Sequence, residues 1–269
     1  MRDKVVIITG SSTGIGYALA VEFGRLGAKV VISARNVDRL NQAENSLRAE
    51  GIDVLALQVD VSIENDCKNL IESTLIRFGK IDILVNNAGI SMRAVFAKTN
   101  PDVLHKLMDT NFWGTVYCTK YALPHLLKTR GSVVGIISIA GYVGLPGRTG
   151  YSASKFAIRG FLDTLRCENL KTGLHVLIAA PGFTSSNIRT AALTADGSMQ
   201  GETPRNESRM MPAEVAARKI VKATIRRKDS IILTLLEGKI TVFLNRFYPK
   251  LVSRLAYYYM AKEPDSPFN

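Results

Sequence analysis

Short aliphatic and β-branched runs alternate with segments of helical length along most of this chain, and that alternation limits the folds open to it. Each run is almost continuously apolar, as expected of strands that are covered on both faces. Helices between successive strands imply right-handed crossovers and a parallel sheet. We therefore predict one α/β domain, a doubly wound parallel sheet of about seven strands with helices on both faces. The predicted strands are Lys4–Thr9, Lys29–Ser33, Val54–Val59, Ile81–Val85, Ser132–Ser138, Leu174–Ala179 and Ser230–Thr234.

Three segments add detail to this pattern. A long helix is predicted over 101–127, with a break near 111–114. Residues 184–211 are polar and contain ADGSMQGETPRNESR, which predicts a substrate loop or lid inside a domain that spans residues 1–238. Residues 239–269 form a basic, amphipathic C-terminal extension.

Composition narrows the classes of partner and compartment. The 269 residues carry a formal net charge of +12, which attracts anions, but no nucleic-acid recognition module is visible and no nucleic-acid partner is predicted. The first apolar run starts too early to follow a signal peptide, and no run approaches the roughly 18 apolar residues of a membrane span. Three isolated cysteines indicate reduced thiols in a cytoplasmic protein, and the histidine spacing predicts no metal site.

The first predicted strand runs into the glycine-rich sequence TGSSTGIG, with glycines at 10, 14 and 16. Gly10 permits a tight turn, Gly14 lets backbone N–H groups approach a pyrophosphate, and Gly16 lets the following helix pack closely. A simple turn is the alternative for such a motif taken alone. Its place between the first strand and helix of an alternating chain favours a Rossmann-like dinucleotide site.

The end of the second strand, VVISARN, indicates which dinucleotide binds. Arg35 stands where folds that prefer NAD carry an acid for the ribose hydroxyls, and Asp38 lies a turn further on. A guanidinium grips a 2′-phosphate, whereas a carboxylate repels it. A solvated arginine is the alternative, but the missing acid favours NADP(H).

The sequence GYSASKF places Tyr151 and Lys155 four residues apart at the start of a predicted helix. Residues at this spacing share one helix face, so the phenol and the ammonium group reach a common volume. Taken alone, the pair favours a partly buried tyrosine beside a solvated lysine.

Together these motifs resemble the short-chain dehydrogenase/reductase family over about Lys4 to Asp229. The resemblance rests on TGSSTGIG, Asp60-Val61, NNAG at 86–89, Asn111, Ser138, YSASK at 151–155 and Pro181-Gly182, in this order. It implies an oxidoreductase that moves hydride between a nicotinamide and a carbonyl or alcohol.

The resemblance assigns four catalytic residues. Tyr151 is the acid/base, and Lys155 together with an oxidised nicotinamide lowers its pKa. Ser138 donates a hydrogen bond to the substrate oxygen. Asn111 distorts its helix and anchors a water relay to Lys155, which also holds the nicotinamide ribose.

The resemblance also implies cofactor contacts and substrate residues. Thr184 and Ser186 depart from the family's aliphatic residue and later threonine. Ser138, Tyr142 and Phe183 are the substrate residues, in a mostly apolar pocket that suits a hydrophobic carbonyl compound. Arg148, Arg189, Arg205 and Arg209 are candidates to bind a phosphate or carboxylate of the substrate, with exposed and solvated loop arginines as the alternative. The implied cofactor residues are Gly10, Ser12, Thr13, Gly14, Ile15, Gly16, Arg35, Asp60, Val61, Asn87, Ala88, Gly89, Tyr151, Lys155, Pro181, Gly182, Thr184 and Ser186.

A looser resemblance to the member-seven branch of animal short-chain reductases points to a lipid-like ketone. A regulator that binds NADP(H) without efficient catalysis is the alternative, although such proteins often lose the tyrosine or lysine. The resemblance also implies a homodimer or homotetramer that pairs through helices at 101–127 and 152–170.

The C-terminal extension has apolar residues at helical spacing from Ile240 to Leu255, interrupted at Pro249, with basic residues between them. We weigh packing on its own domain or a partner subunit at about two to one over peripheral contact with an anionic membrane.

Overall fold

A computed structural model describes residues 1–185, 188–203 and 210–268. Its described residues include one sheet of seven parallel strands in the order β3-β2-β1-β4-β5-β6-β7, which confirms the predicted α/β class and doubly wound topology. The strands are β1 Val5–Thr9, β2 Lys29–Ala34, β3 Val54–Gln58, β4 Ile83–Asn86, β5 Ser132–Ile136, β6 His175–Ala180 and β7 Ser230–Ile232.

Helices cover both faces of the sheet. The described helices are α1 Gly14–Arg25, α2 Val37–Ala49, α3 Glu64–Phe78, α4 Pro101–Leu107, α5 Gly114–Thr129, α6 Thr149–Glu168, α7 Ala213–Ile225, α8 Thr241–Phe247 and α9 Pro249–Ala261. None of these helices is both long and apolar enough to cross a bilayer.

The strands are apolar on both faces because two cores sandwich the sheet. Val6 and Ile8 pack into one core with α1, α2 and α7, whereas Val5 and Ile7 face a second core with α3, α5 and α6. Burial on both sides therefore accounts for the unbroken apolar runs.

The predicted break in the long helix is confirmed. A π-helical turn, Met108–Trp113, separates α4 from α5 and contains Asn111. Gly114 follows, and a Cβ there would lie 2.8 Å from Val61 Cγ2, so the small residue lets α5 approach the loop after β3. Single π turns of this kind often occur at functional sites.

Several predicted strand ends are displaced. The fifth strand stops at Ile136, two residues short of the prediction, because Ser138 starts a short 3₁₀ turn, Ile139–Gly141. The seventh stops at Ile232, and a π-helical turn, Leu235–Ile240, leads into the C-terminal extension. Strand order reverses between β1 and β4, and a crevice at the carboxyl ends of strands at such a point is where doubly wound sheets bind ligands.

Candidate cofactor site and active site

The glycine-rich turn lies in that crevice, directly after β1. Gly10 and Gly14 have φ values of +63° and +58°, a region that favours glycine. An added Cβ at Gly16 would collide with the Gly10 carbonyl oxygen and lie 2.5 Å from Asn87 Nδ2. The turn therefore brings the N-terminus of α1 against the backbone, where N–H groups can face a phosphate.

The NNAG loop after β4 is tied to this turn by hydrogen bonds. Asn87 Nδ2 donates to the carbonyl oxygens of Thr9 and Gly10, both at 2.9 Å. The backbone N–H groups of Asn87 and Ala88 both donate to Thr9 Oγ1 at 3.0 Å. These bonds hold the floor of the crevice in one conformation.

Basic side chains stand at the end of the crevice beside β2. Arg35 follows the strand directly, and its Nη1 lies 3.9 Å from Asp60 Oδ2. The other Asp60 oxygen accepts hydrogen bonds from the Ser62 N–H and hydroxyl. Arg39, which the sequence analysis missed, lines the same cavity because α2 starts at Val37 and brings its first turn beside Arg35. Its signal was its place in the first turn of the helix that follows Arg35.

Asn111 is fully buried in the π turn and connects three elements. Its Oδ1 accepts from the Ile90 N–H at 2.8 Å, and its Nδ2 donates to the Ile90 carbonyl oxygen and to Ser154 Oγ at 2.9 Å. The structure therefore confirms that Asn111 lies in distorted helix. Its position links the NNAG loop to α6, the helix that carries Tyr151.

Tyr151 and Ser138 meet at the inner part of the crevice. Ser138 follows β5, and its Oγ accepts from the Ala140 N–H. Tyr151 is in the first turn of α6 and is 8% exposed. Burial raises the pKa of the Tyr151 phenol, while hydrogen bonding to Ser138 and the charge of Arg148 act in the opposite direction.

Lys155 lies one turn further along the same face, as predicted. Its Nζ is 5.7 Å from the centre of the Tyr151 ring and donates to the Ile136 carbonyl oxygen at 3.1 Å. Burial lowers the pKa of Lys155 to about 8. The protein groups alone therefore do not produce the lowered tyrosine pKa that the sequence analysis expects, because desolvation of the phenol is their largest effect.

The alternative that Arg148 and Arg189 are exposed is wrong. Both side chains line the cavity and are buried. Arg148 Nη1 donates to the Met92 carbonyl oxygen at 2.7 Å and to Ser91 Oγ, and Arg189 Nη1 donates to the Thr184 carbonyl oxygen at 3.0 Å. Backbone oxygens hold these guanidinium groups inside the crevice, and no local sequence pattern indicates this arrangement.

The predicted substrate residues lie in different surroundings. Phe183 lines the cavity, and its ring centre is 6.2 Å from that of Tyr259 in α9. Tyr142 is not among the described residues that line this cavity, and its assignment to the substrate stays a prediction. The 3₁₀ turn directs its ring beneath the Arg159 guanidinium of α6, which lies 4.0 Å from the ring centre. Three further predicted residues lie outside the described residues: Ser186, Arg205 and Arg209.

The remaining predicted residues surround one cavity of ≈ 370 Å³. Val61 also lines it, while Asp60 lies at its edge beside Arg35. Sequence reasoning missed some of the apolar wall, notably Ile90 and Ile188. The predicted residues that line the cavity are Gly10, Ser12, Thr13, Gly14, Ile15, Gly16, Arg35, Val61, Asn87, Ala88, Gly89, Ser138, Tyr151, Lys155, Pro181, Gly182, Phe183 and Thr184.

Comparison with known proteins decides the family. The family model described as short chain dehydrogenase matches residues 4–196. This chain belongs to the short-chain dehydrogenase/reductase family. It is therefore an oxidoreductase of a family whose fold binds nicotinamide cofactors.

Named relatives of this short-chain dehydrogenase/reductase include a Drosophila melanogaster protein called dehydrogenase/reductase SDR family protein 7-like. It is 34% identical over 93% of this chain and 78% of its own. The 11-beta-hydroxysteroid dehydrogenase A of Arachis hypogaea is 39% identical over 84% of this chain and 67% of its own. The resemblance to the member-seven branch is thus confirmed.

Solved structures agree on the fold. A Burkholderia phymatum short-chain dehydrogenase/reductase in complex with NAD has a TM-score of 0.83 at 24% identity, and covers 93% of this chain and 95% of its own. A Thermococcus sibiricus alcohol dehydrogenase complexed with 5-hydroxy-NADP has a TM-score of 0.75 at 25% identity, and covers 85% and 94%. Such structures bind either nicotinamide dinucleotide, so the choice for this chain depends on its own residues.

Proposed function

We propose that this oxidoreductase uses NADP(H) to interconvert a ketone or aldehyde and an alcohol on a hydrophobic substrate, with Tyr151 as the acid/base. One observation carries the proposal: the cavity has Tyr151, Ser138 and Lys155 at its inner part and two arginines beside β2. The residues fit the dinucleotide because the glycine turn leaves no room for a Cβ at Gly16 and directs a helix N-terminus at the phosphates.

The bound nicotinamide supplies or accepts the hydride. In reduction, the Tyr151 hydroxyl transfers its proton to the oxygen that becomes the alcohol, and in oxidation the phenolate takes that proton back. The Ser138 hydroxyl donates a hydrogen bond to the same oxygen and stabilises its developing negative charge. Lys155 and Asn111 hold the α6 face and the Ile90 loop that border this position.

Arg148 adds a positive charge close to the phenol, and its removal is expected to move the pH profile. The charge lowers the pKa of Tyr151, so Arg148→Gln raises that pKa further. Alcohol oxidation needs the phenolate, and the rise of kcat/KM with pH is therefore expected at higher pH than in the wild type. Profiles of both enzymes with one alcohol measure the displacement.

Arg148→Lys is the matched variant because it retains the charge. Its profile is expected to stay close to that of the wild type. A Gln profile that coincides with the wild-type profile would show that Arg148 does not influence the acid/base.

We assign the choice between NADPH and NADH to Arg35 and Arg39, since both line the cavity beside the carboxyl end of β2. Titration of the purified protein is expected to show tighter binding of NADPH than of NADH. The double variant Arg35→Ser/Arg39→Ser is expected to lose about 10- to 100-fold in NADPH affinity, because charge-assisted bonds to the 2′-phosphate are lost. NADH affinity should change by no more than about twofold, because NADH lacks that phosphate.

Arg25→Ser is the control, since Arg25 is equally exposed but pairs with Glu50 at the far end of α1. Equal affinity of the wild type for NADH and NADPH would refute the proposed preference.

Turnover is then sought by NADPH oxidation with aliphatic, aromatic and lipid-derived ketones. Failure of all of them despite tight NADPH binding would favour the regulator over the enzyme.

An apolar substrate is proposed because Ile90, Leu145, Phe183 and Ile188 line the cavity. The relative named as a hydroxysteroid dehydrogenase supports including steroid ketones in the panel.

Cytoplasmic localisation stays a prediction, which microscopy of the tagged protein decides. Pairing through α5 and α6 also stays a prediction: Trp113 and Phe156 are exposed there, and light scattering measures the assembly mass.

A further inference from the structure

The C-terminal extension presents an unusual concentration of exposed apolar side chains. About half of the exposed large apolar residues in the described chain fall between 235 and 259, a stretch of less than a tenth of the sequence. We call the outward side of this stretch the C-terminal surface. Its most exposed members are Leu235, Leu236, Phe243, Phe247, Tyr248 and Tyr258.

This surface is not the face that holds the helices to the domain. Val242 packs into the core shared with α6, and Val252 and Met260 of α9 are buried. Asn245 Nδ2 donates to the Tyr142 carbonyl oxygen on the same inner side. Each helix thus has an inward face of its own, and most of the outward apolar set lies outside that packing. The apolar stripe is therefore exposed rather than packed on its own domain, and packing on a partner subunit stays a prediction.

Glu263, the second residue after α9, anchors the end of that helix. Glu263 lies 3.5 Å from Arg93, with both side chains largely buried, and Arg93 also donates to the Pro264 carbonyl oxygen at 2.7 Å. A buried ion pair at this position holds α9 against the domain rather than leaving it as a loose tail. The exposed apolar side chains are consequently displayed on a fixed surface.

Positive charge surrounds the apolar side chains. The wholly described stretch 235–262 has one acid, Glu237, against five exposed basic residues. Arg246 lies with its guanidinium 6.0 Å from the centre of the Phe247 ring. The basic residues are Lys239, Arg246, Lys250, Arg254 and Lys262.

We propose that the C-terminal surface docks on an anionic lipid membrane. Its apolar and aromatic side chains would enter the boundary between headgroups and acyl chains, and its basic side chains would contact lipid phosphates. The three consecutive tyrosines, 257–259, have the amphipathic rings that favour this boundary. With 7 and 13 residues, α8 and α9 are too short to span a bilayer and would lie along it.

Charge favours a membrane over a second copy of the chain. A two-fold interface would place the same patch on both subunits, so five cations would meet five cations. The net charge of +12 adds to this repulsion and to the attraction toward anionic lipid. Self-association through the surface is therefore the competing outcome of the test.

Docking would also place the cavity beside lipid. Tyr259 of the surface packs near Phe183, which lines the cavity. Direct passage of an apolar substrate from the bilayer rests on the proposed function, whereas docking itself does not. If the protein binds vesicles but neither binds NADPH nor turns over ketones, the proposed function fails and the docking stands.

Flotation of the full chain with vesicles tests the proposal. Vesicles of phosphatidylcholine with about 30% phosphatidylserine are expected to carry the protein, and pure phosphatidylcholine vesicles at least about tenfold less. Raising salt from about 0.1 M to about 0.5 M should weaken the binding, because screening shortens the range of the attraction. Phe243→Ser/Phe247→Ser and Lys250→Glu/Arg254→Glu should each reduce binding at least about tenfold.

Ile76→Ser/Leu170→Ser is the matched control, since both side chains are highly exposed but lie elsewhere on the domain. It is expected to bind as the wild type does, and thermal unfolding verifies that every variant is folded. As a second measurement, Leu255→Trp should be quenched by brominated lipid tails, compared with the background from Trp113.

Three results would overturn the proposal. One is absence of binding to phosphatidylserine vesicles at low salt together with unquenched Leu255→Trp. Another is wild-type binding by Phe243→Ser/Phe247→Ser, whose net charge is unchanged, which would indicate attraction by net charge alone. The third is conversion of a wild-type dimer to a monomer by Phe243→Ser/Phe247→Ser, measured by light scattering, which would identify the surface as a subunit interface.

Discussion

Tyr151→Phe is expected to lower kcat for ketone reduction by about 10²- to 10⁴-fold, because it removes the hydroxyl that donates the proton and leaves the ring in place. The ring remains packed with Met92 and Leu107 in the small core beside the cavity, so the fold should be retained. NADPH affinity should change by no more than about twofold, since the hydroxyl acts on the substrate oxygen. Stopped-flow and steady-state NADPH oxidation measure the effect.

Tyr142→Phe is the matched control for this experiment. It removes the hydroxyl of a nearby, partly buried tyrosine whose ring lies under the Arg159 guanidinium. The sequence analysis assigned Tyr142 to the substrate, whereas the structure predicts wild-type kcat and KM for this variant. Retained turnover in Tyr151→Phe would refute the mechanism, and a raised KM in Tyr142→Phe would support the sequence-based assignment.

Gly16→Ala is expected to weaken dinucleotide binding by at least about 100-fold, because the methyl group forces α1 away from the phosphate-binding turn. The added Cβ would meet the Gly10 carbonyl oxygen and Asn87, neither of which can move without disturbing the hydrogen bonds to Thr9 and Gly10. Overpacking of this kind also costs about 1–3 kcal/mol of folding free energy. Fluorescence titration with NADPH and denaturant unfolding measure the two effects separately.

Gly160→Ala is the comparison variant, because this glycine lies in another helix where a methyl group has room. Gly160 is an exposed glycine inside α6, and no atom lies within 4 Å of a Cβ built there. The alanine is expected to stabilise the protein by about 0.5–1 kcal/mol through helix propensity, with NADPH affinity unchanged. If Gly16→Ala behaved as Gly160→Ala does, close packing at the turn would not matter for the cofactor.

Much of the fold and of the site could be predicted because the relevant signals are local. Unbroken apolar runs reveal strands buried on both faces, and the helices between them imply right-handed crossovers and a parallel sheet. Tyr151 and Lys155 share a face because helical spacing is a property of the backbone. The glycines of the turn are similarly local, since φ > 0 at Gly10 and Gly14 requires no information from distant residues.

Sequence reasoning did not place side chains whose surroundings come from distant parts of the chain. Arg148 resembles any loop arginine until Met92, 56 residues earlier, provides a carbonyl oxygen for it. Tyr142 is adjacent in sequence to the active-site turn, but Arg159 of α6 provides a better surface for its ring. Arg39 was missed because only the start of α2 brings it beside Arg35.

The amino-acid sequence alone determined the α/β class, the dinucleotide turn, the broken helix at Asn111 and the family, since each depends on residue types at short or fixed spacing. The tertiary structure decided which charged groups enter the cavity and which side of the C-terminal helices faces outward. Helical periodicity identifies an apolar stripe but not what the stripe contacts. Only the packing of Val242, Val252 and Met260 against the domain showed that Phe243, Phe247 and their neighbours face away from it.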